Sequence, residues 1–237
     1  MTRRYRAEAV DDALLNTVLA AAQSAPSKSD LQQYSIIVTR DADPIGKVAD
    51  WIGSMPWIKN APVFLLFCGD MRRGQRVCDI HNREHANNNI DTFLNTCVDG
   101  ALAMGMAIAA ADAAGLGTCP ISYVRSHVEN IGPLFGLPRG VHPIAGLTLG
   151  WPQARNEASP RLPQSVVIHR ERYDDSGLEA ALPAYDALRP PARPRYPEIH
   201  GAAPEGCTWS QNSARQLSVP ERFGLATWLR TRGFLLD

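Results

Sequence analysis

Three stretches of this chain gather side chains able to bind a ligand. Pro26 to Gln32 follows a helix stop and offers Ser27, Ser29, Asp30 and Gln32, whose hydroxyl, carboxylate and amide groups suit the polar edge of a ring. The same residues also make an ordinary helix-ending turn. Gly115 to Arg125 carries small residues that let a planar ligand lie against the backbone, and a strand end there exposes amides that donate hydrogen bonds. It reads as well as a plain helix-to-strand connection. Arg161, set between Pro160 and Pro163, sits on a stiffened turn that suits a fixed cation facing an anionic group, or solvent. A competing set is Cys78, His81 and His85. On a helix, an i,i+4 histidine pair with a thiolate three residues earlier has zinc-ligand chemistry. With Arg72, Arg73, Arg76, Arg83 and Glu84 around it, the segment reads instead as a charged surface loop, and no metal is expected.

Composition narrows the choice. The 237 residues carry 24 Lys and Arg against 24 Asp and Glu, and no basic block, which argues against nucleic acid or an anionic membrane and for a small-molecule substrate. Only Lys28, Lys47 and Lys59 are available as Schiff-base candidates. No G-x-G-x-x-G follows a strand, no phosphate-binding G-x-x-x-x-G-K-[ST] loop occurs, and no nucleophile elbow is present. Arg3 and Arg4 are followed by Arg6, Glu8, Asp11 and Asp12 rather than an apolar run, so a cytoplasmic protein is expected. Cys68, Cys78, Cys97, Cys119 and Cys207 form no CxxC pair, as befits reduced thiols that mostly sit in a core. The most apolar window, Cys97 to Leu116, contains Asp99 and Asp112 and so reads as a buried helix rather than a membrane span.

Periodicity then predicts the elements that must position these groups. A helix from Ala13 to Ala25, capped by Asp11 or Asp12, places Leu14, Leu15, Val18, Leu19 and Ala22 on one stripe and stops at Pro26. Strands are expected at Ser35 to Thr39 and at Val63 to Cys68, the latter apolar on both faces and therefore central. A short helical segment from Lys47 to Ile52 ends at Gly53, and a long helix from Asn88 to Ala114 closes on Gly115. Ser126-x-x-Glu129 should open a helix that ends near Phe135-Gly136. Strands from Pro143 to Leu149 and from Ser165 to His169 follow. An extended arm from Pro183 to Pro204, containing Pro190, Pro191, Pro194 and Pro197, leads to a last helix opened by Ser218-x-x-Glu221 and closed by Gly233. The expected class is α+β, a mixed sheet covered by helices, with a core at 1–182 and an arm and C-terminal helix at 183–237 of the same domain. The Ala- and Gly-rich long helix allows close approach of a neighbour, such as another subunit.

Several segments carry a family resemblance in their order and spacing: Arg3-Arg4-Tyr5, Ser27 to Ile37, Ala61 to Asp70, Gly115-Leu116-Gly117 to Arg125, Gly146 to Pro152, Pro160-Arg161-Leu162-Pro163 and Thr208-Trp209-Ser210. The chain resembles the nitroreductase superfamily, in particular its branch of NADPH-dependent oxygen-insensitive nitroreductases and flavin reductase P. The resemblance implies a homodimer with FMN at the subunit interface and a ping-pong cycle. Hydride passes from NADPH or NADH to the flavin and then to a planar acceptor such as a nitroaromatic, quinone, free flavin or pathway intermediate. Carried over by position, it assigns Arg3, Ser27, Ser29, Asp30, Ser122 and Arg161 to the cofactor. Within that set the Ser122 N–H faces flavin N5 and Arg161 holds the phosphate, while Arg125 and Arg222 lie near the second substrate. The chain departs from the branch where Met55 stands for a flavin-contacting Gln, Ser159 for a phosphate-binding Lys and Pro120-Ile121-Ser122-Tyr123 for a glycine-rich segment, and where the sequence from Met1 on lacks the His-Arg-Ser preceding the Arg3 position. Each lost charged phosphate contact should weaken FMN by about ten- to hundredfold. The departures motivate an alternative, a cofactor-poor, non-catalytic dimeric binding or accessory protein.

Overall fold

The computed structural model describes residues 1–192 and 196–237, so Pro194 of the expected arm lies outside the described residues. Two compact units partition the chain: Met1–Asn156 together with Arg222–Asp237, and Glu157–Glu221.

In the first unit, helix α1 (Asp12–Gln23) starts where Asp11 accepts the Leu14 N–H at 2.9 Å and buries Leu15, Val18 and Ala22. Strand β1 (Tyr34–Thr39) follows a short 3-10 turn. Helix α2 (Ala42–Ile52) begins a turn and a half earlier than its apolar pattern predicts, because Asp41 caps it through the Asp43 N–H and Pro44 is tolerated in a first turn. Strand β2 (Val63–Asp70) is buried at every position, as its two-sided apolar run requires. Helix α3 (Arg72–Ile80) replaces the expected loop. Asp70 accepts the Arg73 N–H at 3.0 Å and starts a helix that buries none of its residues.

Helix α4 (Ile90–Ala113), capped by Asn89 on Thr92, ends ahead of Gly115, whose φ of 85° is the left-handed turn expected there. Strand β3 (Gly117–Ile121), a 3-10 turn (Ser122–His127), helix α5 (Val128–Leu134) and strand β4 (Val141–Gly150) complete the sheet region. The strand order is β1-β2-β4-β3, and the three pairings are antiparallel. One face of the sheet, through Leu65, Phe67, Leu147 and Leu149, packs on α1 and on Ala103, Ala107 and Ala111 of α4. The other, through Phe64, Leu66 and Ile121, packs on α2 and α5. Each large side chain so buried stabilises the fold by about 1.5–3 kcal/mol.

The second unit holds α6 (Gln164–Val167), α7 (Leu178–Leu188), α8 (Pro197–His200) and α9 (Trp209–Leu217). The Ser165 to His169 strand is thus corrected to the short helix α6. Its β-branched run has no partner strand among the described residues and closes local bonds instead, Val166 N–H to Pro163 O and Ile168 N–H to Gln164 O. Parts of the extended arm are helical as well, since α7 runs through Pro183 and α8 opens at Pro197. Asp186 of α7 accepts both the N–H and the hydroxyl of Ser210, and the Tyr185 ring meets Trp209 edge-on, so Thr208-Trp209-Ser210 clasps α9 to α7. Thr208 caps α9 reciprocally with Gln211. Back in the first unit, α10 (Leu225–Thr231) carries buried Trp228 and Leu229.

Two expected capping boxes do not form. Ser126 spends its hydroxyl on the Arg222 Nε, which donates to it at 3.1 Å, and α5 starts at Val128 with His127 at its N-cap and no side-chain cap. Ser218 ends α9 rather than opening a helix, and Glu221 faces the His200 Nε2 at 3.2 Å.

Candidate functional site

The Ser27 to Gln33 loop has an uncommon backbone. Ser29, Asp30 and Gln32 all have positive φ, at 50°, 57° and 50°. Each such residue costs roughly 1–3 kcal/mol and persists only where the surroundings impose it. Three sets of bonds do so. The Ser27 hydroxyl accepts the Gln32 N–H at 3.1 Å. Arg73 donates to the Gln32 and Tyr34 carbonyls and to the Ser35 hydroxyl, while facing Asp70 at 3.4 Å. Asp99, on α4 and only 1% exposed, accepts the Lys28 N–H on Oδ1 and the Gln33 N–H on Oδ2, both at 3.0 Å. A cleft of about 430 Å³, lined by Leu19, Gln32, Tyr34, Ser35 and Arg73 among others, opens beside this loop.

Sequence reasoning singled out Ser27, Ser29 and Asp30 but assigned no role to Asp70, Arg73 or Asp99. The usable signal was Asp99 itself. An acid in the most apolar window of a chain must be compensated when buried.

Ser122 and Arg125 share the 3-10 turn that follows β3, and Arg222, at a φ of 57°, is joined to that turn through Ser126. Arg125 donates to the Ile144 carbonyl of β4. The Ile144 side chain lies against Gly100, where any Cβ would come within 2.3 Å of it. Gly100 is the residue after Asp99. One turn of α4 therefore joins the loop carrying Ser27, Ser29 and Asp30 to the turn carrying Ser122 and Arg125.

Arg3 stands over the Trp57 ring at 5.9 Å from its centroid, in a segment fixed at the beginning of β3. There Thr2 donates its N–H to Thr118 O at 2.8 Å and packs on Gly117. The Tyr5 hydroxyl bonds Thr2 O and the Thr148 hydroxyl, and burial raises its pKa. Arg161 and Ser159 belong to the second unit, where the Arg161 Nη1 donates to Ser159 O at 3.1 Å. Met55 leads into the 3-10 turn Pro56–Asn60 that carries Trp57.

One turn of α4 before Asp99, Thr96 Oγ1 lies 3.0 Å from the Nε2 of buried His142, with Cys97 Sγ 4.0 Å from the same nitrogen. Phe93 and Phe234 enclose the imidazole. Burial lowers the His142 pKa to about 4 and raises that of Cys97, so at neutral pH the two form no thiolate–imidazolium pair. At the other candidate centre α3 ends at Ile80. His81 and His85 therefore do not share a helical face, and no group of three or more metal-ligating side chains gathers among the described residues.

The donor set of the loop fits the polar edge of an aromatic cofactor such as the ring of FMN. Hydroxyls and a carboxylate sit together on the Ser27 to Gln33 loop of the first unit, a chemistry suited to the polar edge of such a ring.

Comparison with known proteins agrees with this chemistry. Residues 1–151 match the model of the nitroreductase family, and residues 159–237 match that of the nitroreductase family C-terminal domain. An FMN reductase [NAD(P)H] of Bacillus subtilis is 39% identical over 78% of the chain and 75% of that protein. The oxygen-insensitive NADPH nitroreductase of Salmonella typhimurium is 31% identical over 98% of the chain and 93% of its own length. The solved structure of the hypothetical oxidoreductase YcnD from Bacillus subtilis superposes with a TM-score of 0.89 at 34% identity, covering all of this chain and 94% of the other. By its family matches, its relatives and its fold, this chain is a member of the nitroreductase family.

Proposed function

We infer that the chain is an FMN-dependent NAD(P)H oxidoreductase acting on small molecules. The carrying observation is the family match across both parts of the chain, with relatives named FMN reductase and NADPH nitroreductase. Bound FMN supplies hydride acceptance from the nicotinamide and hydride donation to a second planar compound. The residues do the rest. Ser27, Ser29 and Asp30 orient the cofactor's polar edge from a loop fixed in one conformation. The Ser122 backbone N–H would donate toward the ring nitrogen that takes hydride. Arg3 would offset negative charge on the ring, and Arg161 would pair with the phosphate. Arg125 and Arg222 would orient the nucleotide and the acceptor, and successive use of one pocket would give a ping-pong cycle in which the oxidised nucleotide leaves before a nitroaromatic, quinone or flavin enters.

The working form is a homodimer in the cytoplasm. Ile90, Leu94, Val98, Leu102 and Met106, spaced four residues apart along α4, are all exposed, and the exposed small residues Ala101, Gly105 and Ala109 lie among them. A second copy seated on this apolar stripe would cover it. None of the five cysteines is in a disulfide, which suits a reducing compartment.

The test is a visible spectrum of purified protein with added FMN, followed by anaerobic NADH or NADPH. Bound yellow flavin that bleaches with a nucleotide supports the enzyme and names its donor. No flavin bound at tens of micromolar would sink it in favour of the accessory protein.

A further inference from the structure

We propose that Asp99 is a positioning residue that staples both ends of the Ser27 to Gln33 loop and so presets the loop for the cofactor. The role at the cofactor rests on the flavin reading given above. The staple itself rests on geometry alone. One carboxylate, 1% exposed, spends one oxygen on the Lys28 N–H and the other on the Gln33 N–H, at opposite ends of a loop whose interior holds three left-handed residues. Between those ends, Lys28, Ser29, Asp30, Leu31 and Gln32 are all exposed, so no packed side chain among the described residues holds them in shape. The Gln32 carbonyl and the Tyr34 carbonyl are tied by Arg73, but that guanidinium reaches only the C-terminal end of the loop. Without Asp99 the N-terminal end keeps the Ser27 hydroxyl bond to Gln32 and the Asp30 and Leu31 turn bonds, all of them internal to the loop. Asp99 is thus the contact that ties both ends of the loop to the rigid helix α4. The next residue, Gly100, seats that helix on β4 behind Arg125. An amide in place of the acid puts an N–H group opposite one of the two backbone donors and breaks one staple.

The experiment compares the full chain with its Asp99→Asn variant in three readouts: cleavage by trypsin after Lys28, FMN affinity, and the visible circular dichroism of bound FMN. Expected are far-UV circular dichroism like the parent's, cleavage at Lys28 at least tenfold faster, an FMN dissociation constant raised at least tenfold, and an altered flavin dichroic band. Global loosening alone would not change the dichroism of flavin that is still bound. Unchanged cleavage at Lys28 overturns the staple. Faster cleavage with unchanged FMN affinity and dichroism overturns the loop's part in holding the cofactor, and leaves the family's flavin chemistry to be judged by nucleotide bleaching. Should the variant not fold, hydrogen exchange in the unaltered chain decides. The Lys28 and Gln33 amides should exchange at least tenfold more slowly than that of Ser29, and equal rates would overturn the staple.

Discussion

Two buried polar groups meet neighbouring turns of α4, Asp99 from α4 itself and His142 from β4, and the chain treats them in opposite ways. Asp99 is compensated by two backbone N–H groups, so its burial orders another segment of the chain. His142, which touches α4 at Thr96 and Cys97, is enclosed by Phe93 and Phe234 and held neutral by desolvation. The first arrangement organises a loop at the candidate site. The second fills core volume, with a titratable ring where an apolar one would nearly serve. Burial alone therefore does not mark a functional residue; what the buried group bonds to does.

The largest break in this pairing should come from Asp99→Leu, which strips the acceptor from the buried Gln33 N–H and the part-buried Lys28 N–H. We expect a loss of about 2–4 kcal/mol in urea unfolding, since the orphaned Gln33 donor costs roughly 1–3 kcal/mol, the part-buried Lys28 donor costs less, and the leucine does not reproduce the carboxylate's shape. A cost below about 1 kcal/mol would mean that water or another group takes both amides. Acidification should act next, through His142. Its folded pKa of about 4 lies below the value near 6.5 of an unfolded histidine, so the unfolded chain binds the extra proton. The penalty is absent above pH 6.5 and grows as pH falls toward 4, reaching on the order of 3 kcal/mol. His142→Leu should flatten that window at a cost near pH 7 of about 1–2 kcal/mol, read from unfolding midpoints across pH. A slope that survives the substitution would assign the acid sensitivity elsewhere. Cys97→Ala should matter least, within about 1 kcal/mol, because its sulfur makes only a 4.0 Å contact with the imidazole.

Local signals in the sequence were reliable where the partner is also local. Asp11 capping Leu14, the two-sided burial of β2 and the left-handed Gly115 all follow from a few neighbouring residues. The failures share a cause. The Ser126 hydroxyl is engaged by Arg222, 96 positions away, and the Glu221 carboxylate faces His200, so neither box could close as its spacing suggested. Val166 to Ile168 favours a strand by residue type, but a strand needs a neighbour and the local bonds won. The candidate loop was legible in its residue types. Its conformation was not, because the groups that impose it lie on β2, α3 and α4.

Val98 faces outward beside the inward-facing Asp99, so the surface proposed to receive a second copy and the staple for the cofactor loop are adjacent residues of one helix. Association and cofactor retention are then thermodynamically linked: whatever firms this turn of α4 lowers the entropy left for the loop to lose when FMN binds. Dilution should release flavin more readily than a fixed binding constant allows, and saturating FMN should in turn tighten the dimer.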